Sequence, residues 1–447
     1  MRFCCLTLAL LSLPVLAHPL PAQPLSPEWQ RCAKSDAEPD EGIAACSAII
    51  ELGTERGRNL SIALFNRANG WLAKGEPDRA IADFSGAIGF DGTNAQAFNN
   101  RGNAWVALHA FDRAIADFSE AMRLDPNFTT ALASRGFALY LKGDADGAIV
   151  ALDDALRRTP KDFRALMARG LAWRQKREFD LSLRDFDLAV EVEPSNALTR
   201  SERAVTFQAA GQVDKALAGF TEAIRLDSKF THAYAFRGLS HYARGDLDAA
   251  LADFDETLKL EPSETDTMIN RGTVLQLKGD NERALADFDN ALRISSDSAG
   301  ALSGRGNIFL VRGEYDRAIA EYNRAIAVAA DSALAYSNRA RAFRAKGDFG
   351  RAIADLSEAL RLAPLDAASY NSRAWTYQLA GRNAEALTDA DTAIELNPND
   401  ANAFDTRGTI HMKLGLRDKA AADFRRALEL NPGLTASAEA LKKLGIK

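Results

Sequence analysis

Histidine and cysteine are scarce in this chain, 5 and 4 in 447 residues. That leaves few ingredients for a metal site or for nucleophilic catalysis. Positive charge is not in excess either: 55 Lys and Arg stand against 61 Asp and Glu, a formal net charge of −6. A binder held by nucleic-acid phosphates carries a clustered basic surface, so that class is disfavoured. Gly and Pro, 30 and 14, are too few for a collagenous or low-complexity chain. No apolar run approaches the ~20 residues a membrane-spanning helix needs. What is present is ordinary for a soluble globular protein, 47% hydrophobic and 26% charged. By length alone the chain has room for about three domains.

The first residues read as an address. Met1-Arg2 precedes a nearly all-apolar run, Phe3 to Leu13, followed by Pro14 and by small residues at Ala17 and Ala22. A short positive start, an apolar core and a small-residue exit describe a secretory signal peptide, here residues 1–22 with cleavage after 17 or 22. Cys4 and Cys5 would leave with it. The competing reading is an apolar N-terminal helix of a cytosolic protein. In an exported chain the two remaining cysteines, Cys32 and Cys46, read as one disulfide. Ser26-Pro27 and Glu38-Pro39 each open a short helix, so the bridge would staple a helical pair within 27–60. Two buried free thiols are the alternative. A redox pair is disfavoured because no C-x-x-C spacing occurs.

The rest of the chain is periodic. Small residues stand at Ala68, Gly102, Gly136, Gly170, Ala204, Gly238, Gly272, Gly306, Ala340, Ala374 and Gly408, at an unbroken 34-residue spacing. Taking that residue as position 8 divides 61–434 into eleven equal units, from 61–94 to 401–434. A fixed period of this length marks stacked supersecondary units. Gly at position 15 breaks each unit into two helices, with His109 and Arg177 as the exceptions. Position 20 is Ala or Ser182, position 27 is Ala or Thr257, and position 24 is large except at Ala390. Pro often stands at position 32, where the second helix should stop. Small residues at 8 and 20 let the helices approach, and large residues at 4, 11 and 24 fill the space around them. One pair cannot bury its apolar stripe, so the units must stack.

This pattern resembles the tetratricopeptide repeat, and residues 97–126, AFNNRGNAWVALHAFDRAIADFSEAMRLDP, match it nearly in full. The resemblance implies an all-α fold, an α-solenoid in which antiparallel helix pairs wind as a right-handed superhelix. Residues 27–60 then form a degenerate N-terminal pair and 435–447 a C-terminal capping helix. The family usually binds peptides or protein segments on a concave surface lined by first helices. The expected function is therefore a non-enzymatic protein–protein interaction scaffold in an exported compartment, periplasmic or secreted. The alternatives are a non-catalytic subunit or substrate guide of an envelope enzyme complex, or a structural envelope component. No nucleic acid, no membrane span in the mature chain, no cofactor and no metal are expected.

One column departs from the family. Position 7, usually apolar, is Arg in all eleven units, and position 23 on the second helix is acidic in nine. A partly buried charge needs a partner. An Arg–carboxylate ladder is expected, with Arg67 and Asp83, Arg101 and Asp117, Arg271 and Asp287, and Arg339 and Asp355 as representative rungs, within a unit or across the junction to the next. A basic stripe for an acidic ligand is the alternative.

Positions 2, 5, 9 and 12 share an arc of the first helix beside the core stripe and vary from unit to unit. Two clusters there look capable of recognition: Tyr140 with Arg164 and Arg174, and Arg341 and Arg344 with Asn371, Trp375 and Gln378. Some family members grip a terminal carboxylate with Lys, Arg and Asn. Asn69 and Asn100 match the Asn pair, as do Asn307 and Asn338. Phe65, Thr130 and Ser134, or Ser303, Ala368 and Ser372, stand where Lys and Arg are needed, so that specificity is not expected. No H-E-x-x-H, P-loop or G-x-S-x-G is present. His241 and His411 at core position 11 read as packing residues, and no catalytic residue is expected.

Overall fold

The computed structural model describes residues 26–445, so the apolar leader, 1–22, lies outside the described residues. Among the described residues there are 25 helices and no strand. They fall into two compact units divided between Ser240 and His241.

The first unit opens with α1 (Pro27–Cys32), α2 (Pro39–Glu51) and α3 (Gly57–Ala73). Ser26 caps α1 by accepting from the Trp29 amide, and Pro39 sits in the first turn of α2. Cys32 and Cys46 form a disulfide between α1 and α2, and both are fully buried. The bridge closes a separation of 14 residues. Reduction should therefore destabilise this hairpin by about 3 kcal/mol, read as a lower melting temperature of the N-terminal helices with reductant. An unchanged transition would show that the hairpin is held by packing alone. α3 is 17 residues long and starts four residues ahead of the 34-residue register.

From there helix starts recur with the sequence period. In the first unit first helices begin at Ala95, Thr129, Phe163, Ala197 and Thr231, and in the second at Thr265, Ala299, Ala333, Ala367 and Ala401. Each start follows a residue that in most cases accepts a backbone N–H: Asn94, Asp162, Asn196, Glu264, Ser298, Ser332, Asp366 or Asp400. The break between helices is a left-handed residue. Gly75, Gly143, Gly279 and Gly347 take φ of 71°, 95°, 83° and 80°. Where the glycine is missing, His109 and Arg177 adopt φ of 57° and 64° themselves, at a cost of about 1 kcal/mol each.

The position-24 rings are the core. Phe84, Phe118, Phe186 and Phe220 in the first unit, and Phe254, Phe288, Tyr322 and Phe424 in the second, are fully buried. Within each unit such rings lie against the small position-8 residue sixteen places earlier, as Phe118, Phe186, Phe288, Tyr322 and Phe424 do against Gly102, Gly170, Gly272, Gly306 and Gly408. A Cβ on Gly102 would stand 2.6 Å from Phe118, and one on Gly408 would stand 2.8 Å from Phe424. In the first unit one buried apolar cluster joins Leu132, Phe137, Leu152, Leu166, Met167 and Phe186. In the second, the final helix Thr435–Lys443 covers Phe424 with Ala440 and Leu441.

Candidate functional site

The position-7 arginines are engaged internally. Arg271 donates through Nε and Nη2 to the two carboxylate oxygens of Asp287, at 2.8 and 2.7 Å, sixteen residues ahead. Its Nη1 donates to Asp255 Oδ1 at 2.7 Å, sixteen residues behind. Arg101 with Asp117 and Ser85, Arg169 with Asp185 and Asp153, and Arg339 with Asp355 and Asn323 repeat this geometry. Arg67 holds Asp83 in the same fork and donates to Ser47, twenty residues behind. Each guanidinium thus spans two successive second helices, holding one in a bidentate fork and the other through its third nitrogen. The hydrogen bonds it donates to Asp287 raise the Arg271 pKa above its ordinary value. The sequence pairing accounts for the residue at +16. The residue at −16 falls at position 25, which is Ser, Thr, Asn or Asp at these rungs, and the pairing does not reach it. Some rungs are incomplete. Arg203 faces Gly219 and pairs with Asp187 at 2.8 Å, Arg135 faces Ala151, and Arg305 reaches Glu321 through Nη2 only; the Nε of each is buried without a hydrogen-bond partner.

The buried asparagines bond to one another. Asn100 Nδ2 donates to Asn69 Oδ1 at 2.9 Å and Asn99 Nδ2 donates to Asn100 Oδ1 at 3.0 Å. Asn307 accepts from the Tyr322 hydroxyl at 2.6 Å. His411 is buried and hydrogen-bonds Asp423 at 2.8 Å.

The two recognition clusters separate. In the first, Tyr140 and Arg174 are not surface groups. Tyr140 is 8% exposed, and burial pushes its phenol pKa up. Arg174 Nη2 donates to Glu202 Oε2 at 2.7 Å and Nη1 donates to the Glu202 carbonyl at 3.0 Å. Glu202 itself is 1% exposed. The reason is local: Glu202 lies on the next first helix, where it meets the arginine and draws it inward. Arg164 lines a small cleft with Ser134 and Phe137.

Beside this ion pair His232 accepts or donates to the Ser201 hydroxyl at 3.0 Å and packs against Phe236, ring centroids 4.4 Å apart. Burial pushes its pKa below the usual imidazole value, with Glu202 opposing and Arg174 reinforcing the shift. The folded state therefore binds this proton less readily than the unfolded state. The stabilisation is complete above the unfolded value of about 6.5 and is lost as pH falls below it. Urea unfolding at pH 7 and pH 5 should show a loss on acidification that is smaller in His232→Gln. Equal losses would remove His232 as the cause.

In the second cluster two side chains are exposed and three are partly buried. Arg341 is exposed, and Trp375 is 49% exposed. The Arg344 guanidinium is partly buried and lies over the Trp375 ring at 4.4 Å. Burial, helped by the charge of Arg341, lowers the Arg344 pKa. Asn371 and Gln378 stand four residues before and three after Trp375 on the same helix and are partly buried.

Residues 65–128, 99–162, 136–197, 202–265 and 337–401 match a family model described as tetratricopeptide repeat. A second model of that description matches 401–434, and one described as TPR repeat matches 306–343. No curated protein sequence matches. Among solved structures, a chain in the crystal structure of the APC/C hetero-tetramer Cut9–Hcn1 is 16% identical, over 94% of this chain and 96% of that one, with a TM-score of 0.53. A tetratricopeptide repeat protein from Parabacteroides merdae is 22% identical over 56% of this chain and 99% of its own, with a TM-score of 0.47. Yeast Tom70 is 15% identical over 87% and 95%, with a TM-score of 0.45. The first of these shows the same all-α repeat fold.

Proposed function

Because this chain belongs to the tetratricopeptide repeat family, we propose that it is a non-enzymatic scaffold that binds an extended segment of a protein partner along its first helices, in an exported compartment. The observation that carries the reading is a contrast within each 34-residue unit. Positions 8, 20 and 24 repeat the same small and large residues, whereas positions 2, 5, 9 and 12 differ from unit to unit and, around Trp375, present an exposed aromatic ring beside two arginines. Arg and Trp are the side chains that most often anchor protein interfaces. The binding requires no chemistry, only a preformed surface. The Cys32–Cys46 disulfide and the apolar leader support the compartment, since such bonds persist in oxidising surroundings.

A photo-cross-linking residue at position 375 in cells should yield a discrete protein adduct. The same residue at position 361, an exposed place on a second helix, should not. Absence of any discrete adduct at 375 would count against the scaffold. Mass analysis of the mature protein should find an N-terminus after Ala17 or Ala22 and linked Cys32 and Cys46. Retention of residues 1–17 with free thiols would overturn the compartment.

A further inference from the structure

Arg174 and Arg344 occupy the same place, the twelfth of their units, five units apart. Both reach the next first helix in the same way. Arg174 Nη1 donates to the Glu202 carbonyl at 3.0 Å and to Thr206 Oγ1 at 3.5 Å. Arg344 Nη1 donates to the Ser372 carbonyl at 3.3 Å and to Thr376 Oγ1 at 3.4 Å. The cradle is repeated, but its anion is not. Glu202 delivers a carboxylate to Arg174 at 2.7 Å, and the matching residue beside Arg344 is Ser372. Among the described residues Arg344 has no carboxylate partner, and its Nε and Nη2 donate to no protein atom.

The flanking positions have changed in the same sense. Leu171, on the helix of Arg174, corresponds to Arg341, and Val205 corresponds to Trp375. One site thus holds an arginine neutralised internally. The other holds two arginines three residues apart on one helix face, with an exposed indole forming a wall. A partly buried cation without a counter-ion is costly, and the ring face offsets only part of that cost. The free Nε and Nη2 edge is the planar fork that suits a carboxylate.

We propose that Arg341, Arg344 and Trp375 form a docking site for an acidic side chain, aspartate or glutamate, of the partner segment. The proposal rests on the scaffold reading and narrows it. The incoming carboxylate takes the place that Glu202 fills beside Arg174, and Trp375 packs on the stem of the same side chain.

The test uses the full chain and a fluorescent hexaglutamate peptide capped at both ends, with capped hexaglutamine as the comparison. The chain's net charge of −6 repels such a peptide in general, so binding must be local. Hexaglutamate should bind at least tenfold more tightly than hexaglutamine. Arg344→Gln and Arg341→Gln should each weaken it at least tenfold, whereas Arg361→Gln, on an exposed second-helix face, should leave it unchanged. Ser372→Glu, which copies Glu202, should weaken it at least tenfold while the melting temperature is kept or raised. Failure of hexaglutamate to bind, or binding indifferent to both Arg344→Gln and Ser372→Glu, would overturn the site. So would equal loss in Arg361→Gln. If the cross-linked adduct at position 375 persists undiminished in Arg344→Gln, the acidic docking fails and the scaffold stands. If no adduct forms at all, the scaffold itself fails.

Discussion

Replacing Arg174 with Ala is expected to destabilise the first unit by about 3–5 kcal/mol at neutral pH. Glu202 is 1% exposed, and Arg174 is the hydrogen-bond partner of its carboxylate. Removing the guanidinium leaves a buried charge with nothing to balance it. That differs from removing the pair. Arg174→Met with Glu202→Leu should be about as stable as the parent, or more so, because neither desolvation cost is then incurred. Urea unfolding, with hydrogen exchange on helix Ala197–Ala209, measures the loss and its rescue in the double variant. A single variant as stable as the parent would sink the account.

Phe288→Ala should cost a similar amount, about 3–5 kcal/mol. Its fully buried ring lies between two glycines on successive first helices. A Cβ on Gly272 would stand 2.9 Å from the ring, and one on Gly304 would stand 2.4 Å from it. Leu at position 304 alone should cost about 2–3 kcal/mol by overpacking. In the Phe288→Ala background the same leucine enters the vacated space, so the double variant should be more stable than Phe288→Ala by itself. Thermal melts of the four proteins give the coupling directly. Strict additivity would show that ring and glycine do not share that volume.

Both predictions rest on features of unequal legibility. The Phe288–Gly272 contact follows from the period, because position 8 is small throughout, position 24 is large in every unit but that of Ala390, and the two are sixteen residues apart. The same spacing accounts for the Arg271–Asp287 fork. The second bond of that arginine is hidden in the sequence, since Asp255, Asn323, Ser357 and Thr221 share an acceptor oxygen and little else. The burial of Arg174 is hidden for another reason. Glu202 belongs to position 6 of the following unit, where no other unit carries an acid, and only the folded chain brings the two together. His109 and Arg177 mark a third case: the break between helices is imposed by the neighbouring helices even where the residue resists it.

The partners of a complete rung such as Arg271 lie at fixed distances, sixteen residues on either side, and that has a consequence for how the gene can change. Deleting or duplicating one 34-residue segment in register moves a new residue into the −16 place, but always another residue from position 25. Without 333–366, Arg373 would meet Asn323 in place of Ser357 and would keep Asp389. Without 129–162, the incomplete rung at Arg135 disappears and Arg169 meets Ser119. Recombination between segments within 61–400 therefore brings a residue with a side-chain acceptor oxygen to each new joint. The length of the array is free to drift under selection for what it binds, with its electrostatic fastening carried along in each copy.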